Sequence, residues 1–208
     1  QALRRWDESG KLVAHREPNG YRAYSFQEIL KCLPPDKARP FLKWVGGKSQ
    51  LLPDLLQYIP SDYENYIEPF LGGGALFFAL QPAQAKLNDI NGELINTYQQ
   101  VKDNPYDLIS ELHCHQKKHS ESYYYENREK NPNRMKDINR AARFIYLNKT
   151  CFNGLYRVNQ QGAFNVPIGS YKNPKIADEE NIIACSKALQ NAELFSMDDE
   201  ENFGPELH

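Results

Sequence analysis

The chain has 208 residues, 40% of them hydrophobic and 12% aromatic, which provides enough apolar surface for a buried core and excludes wholesale disorder. Its formal charge of −2 conceals an asymmetry: residues 117–175 carry twelve Lys or Arg against four Asp or Glu, whereas residues 178–208 carry nine acids and one lysine. No apolar run approaches the roughly 20 residues of a membrane span. Four cysteines (Cys32, Cys114, Cys151, Cys185) without a CxxC pair fit a reducing, cytoplasmic setting in which the thiols are packing residues. A basic middle rich in aromatics suits a polyanionic partner. A solvated face with balancing charge is the competing reading.

The first thirty residues read as a small separate unit. A basic helix end (Leu3, Arg4, Arg5, Trp6) stops at Gly10, and residues 11–16 and 21–24 flank the turn signal Pro18-Asn19-Gly20. Ser25 and Glu28 form a capping box that opens another helix, and Pro34, Pro35 and Pro40 punctuate a linker. A second unit begins near Arg39. Leu51, Leu52, Leu55, Leu56 and Ile59 recur at helical spacing.

Residues 63–68 read as a strand entering Gly72-Gly73-Gly74, residues 75–80 as the helix after it, and residues 85–89 as a second strand ending on an acid. Helical periodicity covers residues 93–115, with a bend expected near Pro105, and residues 138–149. Residues 153–168 alternate around Gln160-Gln161-Gly162, a hairpin signal, and residues 192–196 form one more strand. Strands alternating with helices predict an α/β fold with a Rossmann-type sheet.

The glycines pose the chemical question. A Walker loop needs a lysine inside the loop, and Gly72-Gly73-Gly74 is followed by Ala-Leu-Phe-Phe. The dinucleotide pattern also fails, because Phe77 occupies its third glycine position. A tight turn with a second strand-end acid, Asp89, fits an adenosine-type cofactor without a pyrophosphate: glycines admit the ligand to the backbone, and a carboxylate suits a ribose diol. A packing turn between strand and helix is the alternative.

Four segments taken together, FLKWVGGK (41–48), EPFLGGG (68–74), LNDIN (87–91) and FIYLNKTCFNGLYRVNQQGAFNVPIGSYK (144–172), resemble the Dam-type DNA adenine-N6 methyltransferases in that order. The resemblance covers about residues 39–198 and implies a Rossmann-like, S-adenosylmethionine-dependent methyltransferase fold. It places a cofactor cradle at residues 39–100 and 185–200, and a helical and β-hairpin DNA-recognition insertion at about 101–175.

By that resemblance Trp44, Lys48, Phe70, Gly72 and Gly74 line the cofactor site. Glu68 lies near the methionine moiety, Asp89 takes the ribose hydroxyls and Asp198 approaches the adenine. Phe152, Asn153, Leu155 and Arg157 match the recognition hairpin, where an arginine reads guanine. Lys43 approaches the target, and Tyr171 and Lys172 contact phosphates. At Ser170 the family often has arginine. The Tyr123-Tyr124-Tyr125 run reads as helix packing.

The resemblance also sets expectations about what is missing. The family holds a flipped adenine with a DPPY motif, and this sequence has none, so no catalytic residue is assigned. Its near matches are Leu33-Pro-Pro-Asp36 and Asp103-Asn-Pro-Tyr106. In the family DPPY lies downstream of residue 208, so the expectation is a fragment with an incomplete sheet, holding cradle and reader without the catalytic loop. Residues 1–36 resemble a partial winged helix-turn-helix of the MerR-like regulators. That implies Arg4 and Arg5 facing DNA, with Arg16 and Arg22 on the wing. The expected partner is double-stranded DNA, with no metal and no membrane, in a bacterial or phage-infected cell. An inactive DNA-binding regulator derived from such a methylase is the alternative.

Overall fold

The computed structural model describes residues 38–46, 51–60 and 62–197, together with the backbone of residues 15–16 and 22–23. Residues 1–36 and 37–208 separate into two units. In the first, β1 (His15–Arg16) pairs antiparallel with β2 (Arg22–Ala23), His15 opposite Ala23; the turn signal Pro18-Asn19-Gly20 lies outside the described residues.

In the second unit α1 (Leu52–Leu55) is a single turn, although the leucine spacing predicts a helix across 51–59. Leu51 and Leu56 are exposed, so this leucine stripe has no buried face to extend the helix. β3 (Ile67–Glu68), α2 (Ala75–Leu80) and β4 (Ala85–Asn88) follow. α3 (Gly92–Asp103) and α4 (Pro105–Lys118) replace the single bent helix expected over 93–115. Pro105 has no N–H to continue α3, so it starts a new helix instead. α5 (Glu121–Glu129) carries the tyrosine run, with Tyr124 buried and Tyr123 and Tyr125 packed beside it. α6 (Asp137–Thr150), α7 (Glu179–Leu189) and β5 (Ala192–Phe195) complete the unit. The sequence reading did not identify α7.

The sheet is parallel, ordered β3-β4-β5, with Glu68 beside Leu87 and Leu87 beside Leu194. All three strands therefore end at the same edge, where ligands bind in open α/β sheets. Asn88 fastens that edge. Its amide nitrogen donates to the carbonyls of Pro69 (3.2 Å) and Met197 (3.0 Å), and its oxygen accepts from the Met197 N–H (3.0 Å). The core runs from Phe41, Phe77, Phe78 and Tyr98 through α3 to α6 and α7.

The Asp103-Asn-Pro-Tyr106 near match is the junction between α3 and α4. Lys102 donates to the Ala192 carbonyl (2.8 Å), which puts this junction at the amino end of β5, opposite the strand ends that carry the glycines. No helix among the described residues is long and apolar enough to cross a membrane.

Candidate functional site

The glycine turn is held from three sides. The Gly74 N–H donates to the Leu71 carbonyl (2.9 Å), and the Leu71 N–H to the Asn88 carbonyl (2.8 Å), so the turn hangs on the adjacent strand. Gly72 and Gly74 have φ of 52° and 65°, in the left-handed region that excludes most side chains. The Gly72 N–H donates to Asp89 Oδ2 (2.9 Å), while Asp89 Oδ1 accepts from the Asn91 N–H (3.0 Å). Beneath the turn, the buried Tyr98 hydroxyl donates to the Gly72 carbonyl (3.1 Å). Burial, chiefly, holds that hydroxyl in its protonated, donating form.

Trp44 closes the turn from outside. A Cβ on Gly72 would lie 2.9 Å from its indole Cδ1, and one on Gly73 would lie 3.1 Å from its Cβ. The indole stacks on Tyr156 with ring centres 5.6 Å apart. Trp44, Phe70, Gly72, Gly73 and Asp89 line a pocket of about 230 Å³, in which Asp89 is the charged member among the described lining residues. This chemistry fits an adenosine-type group. The carboxylate keeps lone pairs for a diol, an aromatic face is available, and backbone is exposed where side chains are missing.

The predicted cradle residues do not all converge here. Phe70 is 69% exposed at the pocket rim. Gly74 lies behind the pocket as the first residue before α2, with no room for a side chain against Tyr98. Glu68 is 4% exposed and accepts a hydrogen bond from Tyr66 (2.7 Å), on the core side of the turn. Burial and the neighbouring Glu68 carboxyl push the Tyr66 hydroxyl far up, so it stays a donor. Lys48 and Asp198 lie outside the described residues.

The residues expected to meet DNA lie on the segment after α6 and on Lys43, which meets the far end of that segment. After α6 the chain makes a 3₁₀ turn, Phe152–Gly154, with Asn153 at φ 53°, a conformation asparagine tolerates. Phe152 is 50% exposed, so its ring does not pack in the core, and Leu155 is half-buried against the core. The hairpin predicted around Gln160-Gln161-Gly162 is present, closed by a Val158–Phe164 bridge and a 159–163 turn. Its arms are irregular rather than full strands.

Arg157 is exposed, with Nε donating to Asn165 Oδ1 (2.7 Å). The Lys43 ammonium donates to the Tyr171 hydroxyl (3.0 Å) and lies 4.2 Å from the centre of its ring. Lys172 is exposed. Arg16 and Arg22 are described only as backbone in β1 and β2, and Arg4, Arg5 and Leu33-Pro-Pro-Asp36 lie outside the described residues. No cluster of three or more His, Cys, Asp or Glu suited to a metal occurs among the described residues.

Three supports were missed by the sequence reading: Asn88, Tyr98 and Asn148. Asn88 and Asn148 are buried asparagines inside a strand and a helix, where neither residue is favoured, and that mismatch was the available signal.

The parallel sheet with a glycine turn and a carboxylate at adjoining strand ends defines a Rossmann-like α/β protein of the methyltransferase type. Residues 44–205 match the family described as D12 class N6 adenine-specific DNA methyltransferase, and the chain belongs to that family. It is 51% identical over 157 residues to the Type II methyltransferase M1.LlaDCHI of Lactococcus lactis subsp. cremoris, covering 74% of this chain and 55% of that relative. It is 44% identical over 181 residues to the Type II methyltransferase M.MjaIII of Methanocaldococcus jannaschii, covering 78% and 63%. With the DNA adenine methylase of Escherichia coli K12 it shares 40% identity over 159 residues, covering 75% and 56%. The chain thus spans little more than half the length of these curated relatives. The family's reaction requires a methyl donor and DNA.

Proposed function

We propose that the chain binds S-adenosylmethionine at the Gly72–Asp89 turn and double-stranded DNA along the hairpin face, for site-specific methylation of adenine at N6. The observation that carries this reading is the placement of Lys43 and Trp44. These adjacent residues face opposite partners: Trp44 covers the glycine turn, and Lys43 meets Tyr171 at the end of the hairpin. A donor pocket and a DNA reader therefore share one short segment.

Each group has a definite task in this reading. Gly72 and Gly73 leave backbone open to the nucleoside, Asp89 accepts from its ribose hydroxyls, and the Trp44 indole gives the pocket an aromatic wall. Phe70 covers the rim, Lys48 lines the cofactor site and Asp198 lies toward the adenine, while the buried Glu68 sits beside the methionine end without lining the pocket. When bound, the cofactor supplies an electrophilic sulfonium methyl. Arg157 reads a guanine edge, Phe152, Asn153 and Leu155 approach the bases, and Lys172 and Tyr171 meet phosphates. The first unit acts as a winged-helix DNA contact through Arg4, Arg5, Arg16 and Arg22. The setting is cytoplasmic.

The test is calorimetry of the 208-residue chain with S-adenosylmethionine, paired with transfer of labelled methyl to duplex DNA. Binding with label recovered as N6-methyladenine supports the reading. Binding of donor and duplex without transfer supports the pocket and the reader and removes methylation from the reading of this chain. Binding of neither overturns the proposal.

A further inference from the structure

Asn148 lies in the last turn of α6, is 2% exposed, and bonds its carboxamide to the backbone of two other segments. Its Oδ1 accepts from the Lys43 N–H at 2.9 Å. Its Nδ2 donates to the Lys43 carbonyl at 2.7 Å and to the Gly154 carbonyl at 3.1 Å. An amide offers one acceptor and two donors in a plane, and here each has a partner. The side chain thus mimics a strand edge against Lys43 while its remaining N–H reaches the turn that begins the hairpin.

The same seam is very tight. Gly154 has φ +64°, and a Cβ there would lie 2.4 Å from the Lys43 Cβ. Two segments are pressed together and set in register by a single amide. One segment leads into Trp44 and the glycine turn, and the other into Leu155 and Arg157. The stack of Trp44 on Tyr156 crosses the same seam, but ring stacking tolerates sliding, whereas three directional hydrogen bonds fix a register.

We infer that Asn148 is a positioning residue that couples the donor pocket to the DNA-reading hairpin. It touches neither ligand; it sets the distance between the segments that do. This rests on the function proposed above. With the amide in place, a shift of the hairpin on DNA is carried to Lys43 and hence to Trp44, and occupancy of the pocket restrains the hairpin in return. Such coupling is reciprocal by thermodynamic necessity.

The test measures S-adenosylhomocysteine affinity with and without a short duplex, chosen from a randomised pool as the tightest binder of the wild-type chain. Wild type is expected to bind S-adenosylhomocysteine about tenfold more tightly on the duplex, within the usual range of coupling between sites. Asn148→Ala is expected to keep each separate affinity within about threefold while that tenfold gain shrinks below about twofold. Asn148→Asp, which turns an oxygen toward two carbonyls, is expected to do the same.

A role in folding alone would lower thermal stability and both separate affinities together while the coupling factor stayed intact. That result overturns the inference. Gly154→Ala reaches the seam from the hairpin side, and its loss of coupling in a folded chain supports the inference if Asn148→Ala unfolds. Unfolding of all three variants marks the seam as a folding element and overturns the positioning role. A wild-type chain that binds neither probe overturns the proposed function first, and this inference with it.

Discussion

The backbone N–H of Gly72 donates to the carboxylate of Asp89 at 2.9 Å, so the turn after β3 is tied to the end of β4 by a charge-assisted bond. In the proposed function Asp89 thus has two tasks, shaping the turn and presenting lone pairs to a ligand. The two tasks separate by substitution. Asp89→Asn loses the charge and keeps one acceptor oxygen where the carboxylate serves both the Gly72 and the Asn91 N–H, whereas Asp89→Ala loses both oxygens. Asp89→Asn is expected to weaken S-adenosylmethionine binding and to lower the unfolding midpoint less than Asp89→Ala does. Asp89→Ala is expected to cost a further ~1.5–3 kcal/mol of stability from the lost charged hydrogen bond. Equal destabilisation by both variants in urea titration would show that the charge itself holds the turn.

Gly74 tests the other end of that turn. Its φ is +65°, and a Cβ there would meet the Tyr98 hydroxyl at 2.7 Å and the Phe78 ring at 3.1 Å. Both neighbours are fully buried, so neither can move aside at low cost. Gly74→Ala is expected to destabilise the chain by about 2–4 kcal/mol, from left-handed strain together with overpacking. A urea unfolding curve that moves by less than a tenth of this would mean that α2 shifts to make room.

A pH prediction follows from His115. Its ring stacks on Tyr146 at 4.7 Å, and its Nδ1 lies 3.0 Å from the Tyr123 hydroxyl. Burial lowers its pKa from 6.5 to about 4, with Lys130, Lys118 and Arg143 adding to the effect. The unfolded chain thus takes up a proton that the folded chain refuses. The resulting stability is complete above pH 6.5 and is lost as pH falls toward about 4. The difference corresponds to about 3 kcal/mol at full development. His115→Gln is expected to flatten the acid limb of stability against pH between those limits. An unchanged limb would move the origin of acid sensitivity to other groups.

The glycine turn, β4 and α2 were legible in the sequence because local chemistry sets them, whereas of the strand expected over 63–68 only Ile67–Glu68 forms. Glycine permits positive φ, and the run from Ala75 to Leu80 follows at once as a helix. The stripe from Leu51 to Ile59 misled because periodicity predicts a helix only where another surface covers its apolar face, and here Leu51 and Leu56 face solvent. In the candidate site, Asp89 and Trp44 were named from their motifs, and both line the pocket at the glycine turn. Asn88 and Asn148 were not named, since their partners lie up to about a hundred positions away and only the folded chain brings them within reach. Tyr98 was hidden for the same reason: it reads as one apolar position of α3 until its hydroxyl is found under Gly72.

Arg157 offers the sharpest test of the DNA reading. Its Nε is held by Asn165 Oδ1 at 2.7 Å, and a terminal nitrogen reaches the Asn165 carbonyl more weakly, at 3.4 Å. This grip on the Nε side of the guanidinium leaves Nη1 and the second N–H of Nη2 as a pair of donors, the arrangement that matches the O6 and N7 of guanine. Arg157→Ala is expected to reduce discrimination between the preferred duplex and single-base variants by ~1–3 kcal/mol at one position. Binding to unrelated DNA should change far less. Lys172→Ala is expected to weaken all duplexes alike and to lower the slope of log affinity against log salt by about one. Competition binding at several salt concentrations separates the two. A uniform, salt-dependent loss for Arg157→Ala would make it a phosphate contact, with base reading assigned to other residues of the hairpin face.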